Sequence, residues 1–432
     1  MSRLSKVVGA IAVVGLLASC TFYHKNFPQE NSPFDPDSDF VIQVDDYGSF
    51  WDPEVPARAL KKIAAESSRT NTIVMLFIHG WHHNAAVNDD NAKDFSRTLC
   101  TIRRKLDDNE DGKPGLYRQS RLSLTGIGDV KVIGIYVGWR GKSLPMPFDY
   151  VTFWGRKAAA ERVGDGDLRE FLLRLNHIYS ERNANRPGSS NRPFMGMVSF
   201  GHSFGGQVLF RAVASTFESE LTAATAQSGG TRKIRLQRPL SGFGDMTVLI
   251  NPALEAFQYE RIHRLSKQLE YDRNQAPLLL VLSSETDFAR KIFFPLGRTL
   301  DAMFRAPFRG DQRAQWTEAL GEYEAQRTHR IEILEGPALK FDPNAYRNNR
   351  CGIVNFDLTN MPAISGVRLW PTSIHADKFH PFIVAYASGD VVIEHSGIFE
   401  ERLRNFLNDY IAIAEGKRIL LADPQNKDCP PP

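Results

Sequence analysis

Ser203 lies between two glycines in the pentapeptide Gly201-His202-Ser203-Phe204-Gly205. The mostly apolar residues 196–200 before it predict a short buried strand, and apolar positions in residues 204–222 recur with the period of a helix. A sharp turn from strand to helix pushes the serine Oγ above the sheet, and glycines at both ends of the turn avoid the crowding that a Cβ would cause. The pattern makes Ser203 a candidate nucleophile at a helix N-terminus that favours an oxyanion.

A serine hydroxyl is a poor nucleophile at neutral pH, so other groups must assist it. A base within hydrogen-bonding reach takes its proton. An acid holds the base in the right tautomer and offsets its charge. N–H donors must face the oxygen that becomes negative in the tetrahedral intermediate. These parts have to come from distant segments of the chain.

Apolar runs elsewhere in the chain predict the sheet that would hold these parts. The strongest run, residues 72–78, is too continuous for a strand with one solvent-facing side and indicates a central strand buried on both faces. Helical patterns lie between most of the runs, so the sequence predicts an α/β fold with a doubly wound, mostly parallel sheet. Polar clusters follow the runs, and ligands bind beyond the carboxyl ends of the strands in such sheets. The predicted strands are residues 40–44, 72–78, 130–137, 196–200, 246–250, 278–282 and 382–387, and the predicted helices are residues 56–68, 84–107, 167–182, 204–222, 254–270 and 398–414.

The chain resembles the α/β-hydrolase superfamily, in its lipase- and esterase-like part. The resemblance rests on the pentapeptide around Ser203 and on Phe77-Ile78-His79-Gly80 at the end of a predicted strand. It implies a serine hydrolase that needs no cofactor or metal and cleaves carboxylic esters of small molecules or lipids. It also implies that the backbone N–H groups of Trp81 and Phe204 form the oxyanion hole. Acyl transfer or amide cleavage by the same residues, and a non-catalytic binding scaffold, are the alternatives.

The superfamily places its acid after the serine in the chain. Asp287 lies five residues past the predicted strand 278–282, at about the position that the resemblance implies for the acid. Glu285 is close enough to compete with it, and Glu255, after the preceding strand, is a third option.

The superfamily places its histidine last, in the loop between the final strand and the closing helix. Of the late histidines His375, His380 and His395, only His395 opens the closing helix after the predicted strand 382–387. His380 is its main alternative. The predicted catalytic residues are therefore Ser203, Asp287 and His395.

The N-terminus resembles a bacterial lipoprotein signal peptide. Two basic residues precede the apolar run 7–18, which is shorter than the roughly 20 residues of a membrane-spanning helix, and Leu17-Ala18-Ser19-Cys20 follows. The resemblance implies cleavage before Cys20, lipidation of Cys20 and attachment on the periplasmic side of the bacterial envelope. Thr21, where an aspartate would signal inner-membrane retention, points by analogy to the outer membrane.

Charge and cysteine content argue against several other classes of protein. The chain has 53 basic and 50 acidic residues and a formal charge of +3, so no basic field suggests a nucleic-acid partner. The four cysteines have no metal-binding spacing. Cys351 and Cys429 are candidates for a disulfide in an oxidising compartment, and Cys100 is interpreted as a buried thiol on the apolar side of a helix.

These patterns divide the chain into one folded domain with two flanking segments. Residues 288–380 exceed what the fold needs after its acid, and we interpret them as an insertion or cap with edge strands at residues 331–334 and 352–356. The aromatic segment 145–154 is interpreted as core packing, with a lid over Ser203 as the alternative. The predicted divisions are a signal peptide at 1–19, a tether at 20–38, the α/β-hydrolase domain at 39–415 and a flexible tail at 416–432.

Overall fold

A computed structural model describes residues 26–107, 109–110, 113–114, 129–142, 152–184, 192–226, 233–295, 298–299, 308–334, 351, 356–361, 363–372 and 377–422. Within these residues, nine strands form one sheet, and in chain order they are β1 (Asp39–Gln43), β2 (Asn71–Ile78), β3 (Val130–Gly138), β4 (Met195–His202), β5 (Met246–Ile250), β6 (Leu279–Ser284), β7 (His329–Ile333), β8 (Val367–Pro371) and β9 (Phe382–Ala387). Their order across the sheet is β1-β3-β2-β4-β5-β6-β9-β7-β8. Neighbouring strands are parallel except for β7 and β8. The predicted α/β class with a mostly parallel sheet is confirmed.

Helices cover both faces of this sheet, which explains why its central strands are continuous apolar runs. On β2, Leu76 belongs to the core that includes Phe204 and Val208, whereas Phe77 belongs to the opposite core, with Phe95 and Phe406. Alternate residues of one strand therefore pack against different helix layers. The longer helices are α1 (Glu54–Ser67), α2 (Asp90–Asp107), α3 (Phe153–Asp165), α4 (Asp167–Asn183), α5 (Phe204–Thr225), α6 (Ala256–Ser266) and α8 (Glu401–Ala422), and a short helix α7 (Gln312–Thr317) precedes β7.

Part of the predicted insertion belongs to the central sheet. The predicted edge strand at 331–334 overlaps β7 at residues 331–333, and β7 pairs with β9 in parallel. The second predicted edge strand, 352–356, lies outside the described residues except for Phe356. The antiparallel edge is instead β8, which the sequence analysis missed. Val367 and Leu369 of β8 are buried, and Arg368 between them is partly exposed, so the alternation of apolar and polar residues was the available signal.

The predicted tether is wrong in its second half, because residues 26–38 pack on the domain. Phe34 is buried, and its ring centroid lies 5.4 Å from that of Tyr136. The side-chain amide of Gln43 exchanges two hydrogen bonds with the backbone of Phe27, at 2.7 and 2.8 Å. Apolar burial and satisfied amide groups hold this segment in place. Residues 1–25, including Cys20, lie outside the described residues.

The C-terminal boundary of the domain also differs from the prediction. Helix α8 continues to Ala422, so residues 416–422 are not a flexible tail. Lys417 and Leu420 are buried, and Lys417 Nζ donates to the carbonyl of Phe356 at 2.7 Å. Residues 423–432 lie outside the described residues. Across the described part of the chain, no helix has the length and apolar character needed to cross a membrane.

The cysteines show one correction. Cys100 is an exposed free thiol, not a buried one, because it lies beside the apolar stripe of α2 rather than within it. Cys351 is disulfide-bonded. Cys429 lies outside the described residues, so its pairing with Cys351 stays a prediction.

Candidate active site

Ser203 occupies a strained turn between β4 and α5. Its φ is 55° and its ψ is −122°, a combination that costs free energy for a residue with a side chain. A Cβ on Gly205 would collide with the carbonyl oxygen of Ile78, and one on Gly201 would come within 2.7 Å of the carbonyl oxygen of Gly205. Both glycines therefore permit the turn, as the sequence pattern predicted.

The structure brings Ser203, His395 and Asp287 into one chain of hydrogen bonds. His395 Nε2 lies 2.8 Å from Ser203 Oγ, and His395 Nδ1 lies 2.7 Å from Asp287 Oδ2. The three residues follow the carboxyl ends of β4, β9 and β6, so one edge of the sheet gathers them from distant parts of the sequence. A hydroxyl, an imidazole and a carboxylate in this order have the geometry of an activated nucleophile.

Asp287 is buried and ionised. Burial alone would raise the pKa of Asp287, but the adjacent His395 and then Arg290 outweigh it and hold this pKa well below its ordinary value. Arg290 donates from its backbone N–H to Asp287 Oδ1 at 3.1 Å and from Nε to Oδ2 at 3.0 Å. The carboxylate can therefore accept the Nδ1–H of His395 and fix the tautomer whose Nε2 faces the serine.

Arg290 was missed by the sequence analysis. It is fully buried, donates to Ser283 Oγ at 2.7 Å and pairs with Glu322 at 2.5 Å. A buried guanidinium needs such partners on several sides, and here they orient it towards Asp287. The i, i+3 spacing of Asp287 and Arg290 was the available signal.

The alternative acids have other partners. Glu285 is about a third exposed, and its carboxylate accepts from the backbone N–H of Gly389 at 3.1 Å and from Arg330 at 3.3 Å. Glu255 is buried and forms ion pairs with Lys157 at 2.9 Å and Arg298 at 2.8 Å. Neither carboxylate makes the contact with His395 that Asp287 makes.

The alternative base lies at the other edge of the sheet. His380 precedes β9, so it lies at the amino end of a parallel strand whose carboxyl end leads to His395. Its Nδ1 lies 2.9 Å from the carbonyl oxygen of Phe382, and burial lowers the pKa of His380 to about 3. His375 lies outside the described residues.

Two further side chains hold the backbone of His395. His202 is buried, and its Nε2 donates to the carbonyl of His395 at 2.8 Å. Burial, and then the charge of His395, lower the pKa of His202 well below its ordinary value, so its ring stays neutral. Asn251 donates from Nδ2 to the carbonyls of Glu394 and His395, at 2.9 and 3.1 Å. The sequence analysis assigned no role to Asn251.

The loop that contains Trp81 lies directly against the nucleophile. A Cβ on Gly80 would come within 2.8 Å of Ser203 Cβ. His79 is buried beneath this loop: Nε2 accepts the backbone N–H of Trp139 at 3.0 Å, and the proton on Nδ1 points to the carbonyl of Gly80 at 2.9 Å. Burial lowers the pKa of His79 to about 4, so it holds this loop as a neutral ring.

Phe204 and Trp81 flank Ser203 from two sides. Phe204 is the first residue of α5, where a backbone N–H has no acceptor within the helix. The rings of Trp81 and Phe204 lie 6.3 Å apart, and Phe153 of α3 packs on both, at 5.1 and 4.9 Å between ring centroids. This part of the aromatic segment 145–154 thus packs beside the site. The role of the two N–H groups as oxyanion donors stays a prediction.

The site is a serine–histidine–aspartate constellation at the carboxyl edge of a mostly parallel α/β sheet. Comparison of the chain with family models, with curated proteins and with solved structures finds no match for any part of it. In the described residues, no group of three or more His, Cys, Asp or Glu side chains is arranged to hold a metal ion. His83, one of the histidines beside Trp81, instead pairs with Asp89 at 3.1 Å.

Proposed function

We propose that this chain is a serine hydrolase of the α/β-hydrolase type that cleaves carboxylic esters. The observation that supports the proposal is the continuous hydrogen-bonded chain from Ser203 Oγ through His395 to Asp287, at 2.8 and 2.7 Å. An aspartate that served only in an ion pair would not also need to contact a histidine. Here the other nitrogen of that histidine contacts a serine held at positive φ, a strained conformation typical of functional sites.

The reaction follows from the roles of these atoms. Ser203 Oγ attacks the acyl carbon while His395 Nε2 takes its proton, and ionised Asp287 offsets the charge of the imidazolium. The N–H groups of Trp81 and Phe204 stabilise the oxyanion. The C–O bond to the alcohol then breaks, and His395 returns the proton to the leaving oxygen. Water, activated by the same histidine, attacks the acyl-enzyme and releases the acid and free Ser203.

A fluorophosphonate probe tests the nucleophile directly. We expect covalent labelling of the wild-type protein and none of Ser203→Ala. Ser199→Ala is the matched control, since Ser199 lies on the same strand and its buried Oγ has no hydrogen-bond partner in the part of the chain that the structure describes; it should label like wild type. A folded wild-type protein that does not label would favour the non-catalytic scaffold. A panel of p-nitrophenyl esters, with Ser203→Ala as the blank, then measures the preferred acyl length.

Whether the enzyme hydrolyses its substrate or transfers the acyl group depends on the molecule that attacks the acyl-enzyme, which is either water or another nucleophile. We expect the acyl-enzyme to partition to water, so that added alcohol or amine changes the product ratio little. A dominant transfer product at millimolar acceptor would indicate an acyltransferase instead.

We further propose that the protein is attached through lipidated Cys20 to the periplasmic face of the bacterial outer membrane. The basis is the N-terminal sequence alone. A lipidated Cys20 has no free thiol, and Cys100 is a free thiol, so disulfide-bonded Cys351 should pair with Cys429. Non-reducing peptide mapping by mass spectrometry measures both features. A bond between Cys351 and Cys20 would contradict the anchor.

A further inference from the structure

Exposed large apolar side chains concentrate at the edge of the sheet that carries Ser203. Eight large apolar side chains among the described residues are more than a third exposed. All of them except Leu173 follow the carboxyl end of a strand of the sheet. Single exposed apolar residues are ordinary on any surface, but a distribution in which all but one follow the same ends of the strands is not. We name this set the apolar rim: Tyr47 and Trp51 after β1, Trp154 after β3, Phe257 after β5, Phe288 after β6, Leu334 after β7 and Ile393 after β9.

The apolar rim surrounds the candidate active site. Phe288 directly follows Asp287 and is 61% exposed, and Ile393 lies two residues before His395. Trp154 adjoins Phe153, whose ring packs on Phe204. Tyr47, which is 73% exposed, and Leu334 extend the rim towards the two sides of the sheet. A flat surface that meets the rim would therefore also meet the entrance to Ser203.

The N-terminal segment enters the fold at this same edge. Phe27 is held by Gln43, the last residue of β1, and Gln29 donates to the carbonyl of Ala85, in the loop after β2, at 2.9 Å. Cys20 and Asn26 are only six residues apart. Even a fully extended chain of that length spans about 20 Å, so an acyl anchor at Cys20 would keep this edge near the membrane.

We propose that the apolar rim contacts the phospholipid bilayer, with the active site facing the membrane and drawing its ester substrate from it. The proposal rests on the proposed hydrolase function and on lipidation of Cys20. The bilayer is the favoured occupant because the short connection and the rim lie at one edge, and because aromatic side chains suit the boundary between headgroups and acyl chains. Cleavage before Cys20 removes Arg3 and Lys6, so the formal charge falls from +3 to +1 in the mature chain, and apolar contact rather than attraction to anionic lipid carries the binding.

Tryptophan quenching tests the orientation without any catalysis. The mature lipidated Ser203→Ala protein is reconstituted into phosphatidylcholine vesicles with and without brominated acyl chains. We expect bromolipid to quench fluorescence, and the quenching to fall by about half or more in Trp51→Phe/Trp154→Phe, since interfacial side chains reach about 5–10 Å into the bilayer. Trp370→Phe is the matched control, because Trp370 pairs with Arg330 near the start of β7, towards the opposite edge.

Three outcomes of this measurement overturn the proposal. One is quenching that does not change when Trp51 and Trp154 are replaced, and another is quenching that depends on Trp370. An absence of quenching, as expected if a protein partner rather than lipid covers the rim, overturns it equally. Mass spectrometry of the same sample must show a lipidated Cys20, and an unmodified Cys20 overturns it as well.

Activity on two substrates tests the consequence for catalysis. Tyr47→Ser/Leu334→Ser should lower the rate on a long-chain ester embedded in vesicles by about tenfold, because two rim contacts are lost. Its rate on a water-soluble short-chain ester should stay within about twofold of wild type, as should both rates of Leu173→Ser, the exposed apolar position outside the rim. Equal losses on both substrates overturn the proposal. A wild type inactive on every ester refutes the hydrolase function, while the quenching result stands by itself.

Discussion

Replacing Asp287 by asparagine gives the sharpest test of how the site works. Asp287 Oδ2 accepts from His395 Nδ1 at 2.7 Å, and an asparagine of the same shape can instead present its NH₂ group there. The imidazole would then carry its proton on Nε2, towards Ser203, and would no longer act as a base. Loss of the acid in such a triad costs on the order of 10⁴ in turnover, or about 5.5 kcal/mol of transition-state stabilisation.

The fold should survive this change. The asparagine side chain keeps the oxygen that accepts the backbone N–H of Arg290. Arg290 loses the bond from its Nε to Oδ2 but retains its bonds to Ser283 and Glu322. We therefore expect Asp287→Asn to unfold within several degrees of wild type by thermal denaturation, a loss far smaller than its loss of turnover.

Glu285→Gln is the matched control for this test. Glu285 lies two residues away, is about a third exposed and contacts Gly389 and Arg330, so its loss should change turnover less than about threefold. Both variants are assayed for kcat on one p-nitrophenyl ester, with Ser203→Ala as the blank. Equal losses in the two variants, or an Asp287→Asn enzyme within about tenfold of wild type, would refute the assignment of the acid.

Two further predictions concern stability. Gly205→Ala should destabilise the protein by more than about 3 kcal/mol, since its Cβ would overlap the carbonyl oxygen of Ile78, whereas Gly155→Ala, in open space on α3, should be neutral or raise the melting temperature slightly. Burial lowers the pKa of His380 to about 3 and those of His79 and His329 to about 4. These rings stay neutral in the folded protein while the unfolded chain protonates near pH 6.5, so the free energy of unfolding should fall as the pH drops from about 6.5 to 4. Urea titrations across this range should show His380→Asn reducing the slope by roughly 1 kcal/mol per pH unit, and an unchanged slope would contradict a neutral buried His380.

The parts of this structure that the sequence predicted are those set by local pattern. The run 72–78 was continuous because helices cover both faces of β2, and the glycines around Ser203 were required by a turn with no room for a Cβ. Such signals act within a few residues. Parallel strands then bring their carboxyl ends to one edge, which predicted that the segments after them would meet. The choice of Asp287 and His395 among the candidates in those segments rested on the resemblance to the α/β-hydrolase superfamily.

The parts that it did not predict depend on contacts between distant segments. In the sequence, Phe34 is an aromatic residue in a mostly polar stretch, which does not predict its burial. In the structure it packs against the rings of Tyr136 and Phe95. In the sequence, Arg290 is one of several basic residues in its segment, which favours a solvent-exposed side chain. In the structure Asp287 and Glu322 contact its guanidinium group. In both cases the composition of the segment favoured exposure, and a partner far along the chain decided burial.

Strand β5 shows why a search for catalytic side chains leaves the site incomplete. Its last residue, Ile250, accepts the backbone N–H of Ser203 at 3.0 Å, and Ala253 donates back to the carbonyl of Ser203, also at 3.0 Å. Between them, Asn251 holds the carbonyl of His395. One short segment without a catalytic side chain therefore fixes the backbones of both the nucleophile and the base. Two of these three contacts are made by main-chain atoms, so no residue type in the sequence could have predicted them. The precision of the Ser203–His395 distance therefore depends on the sheet rather than on the three catalytic side chains alone.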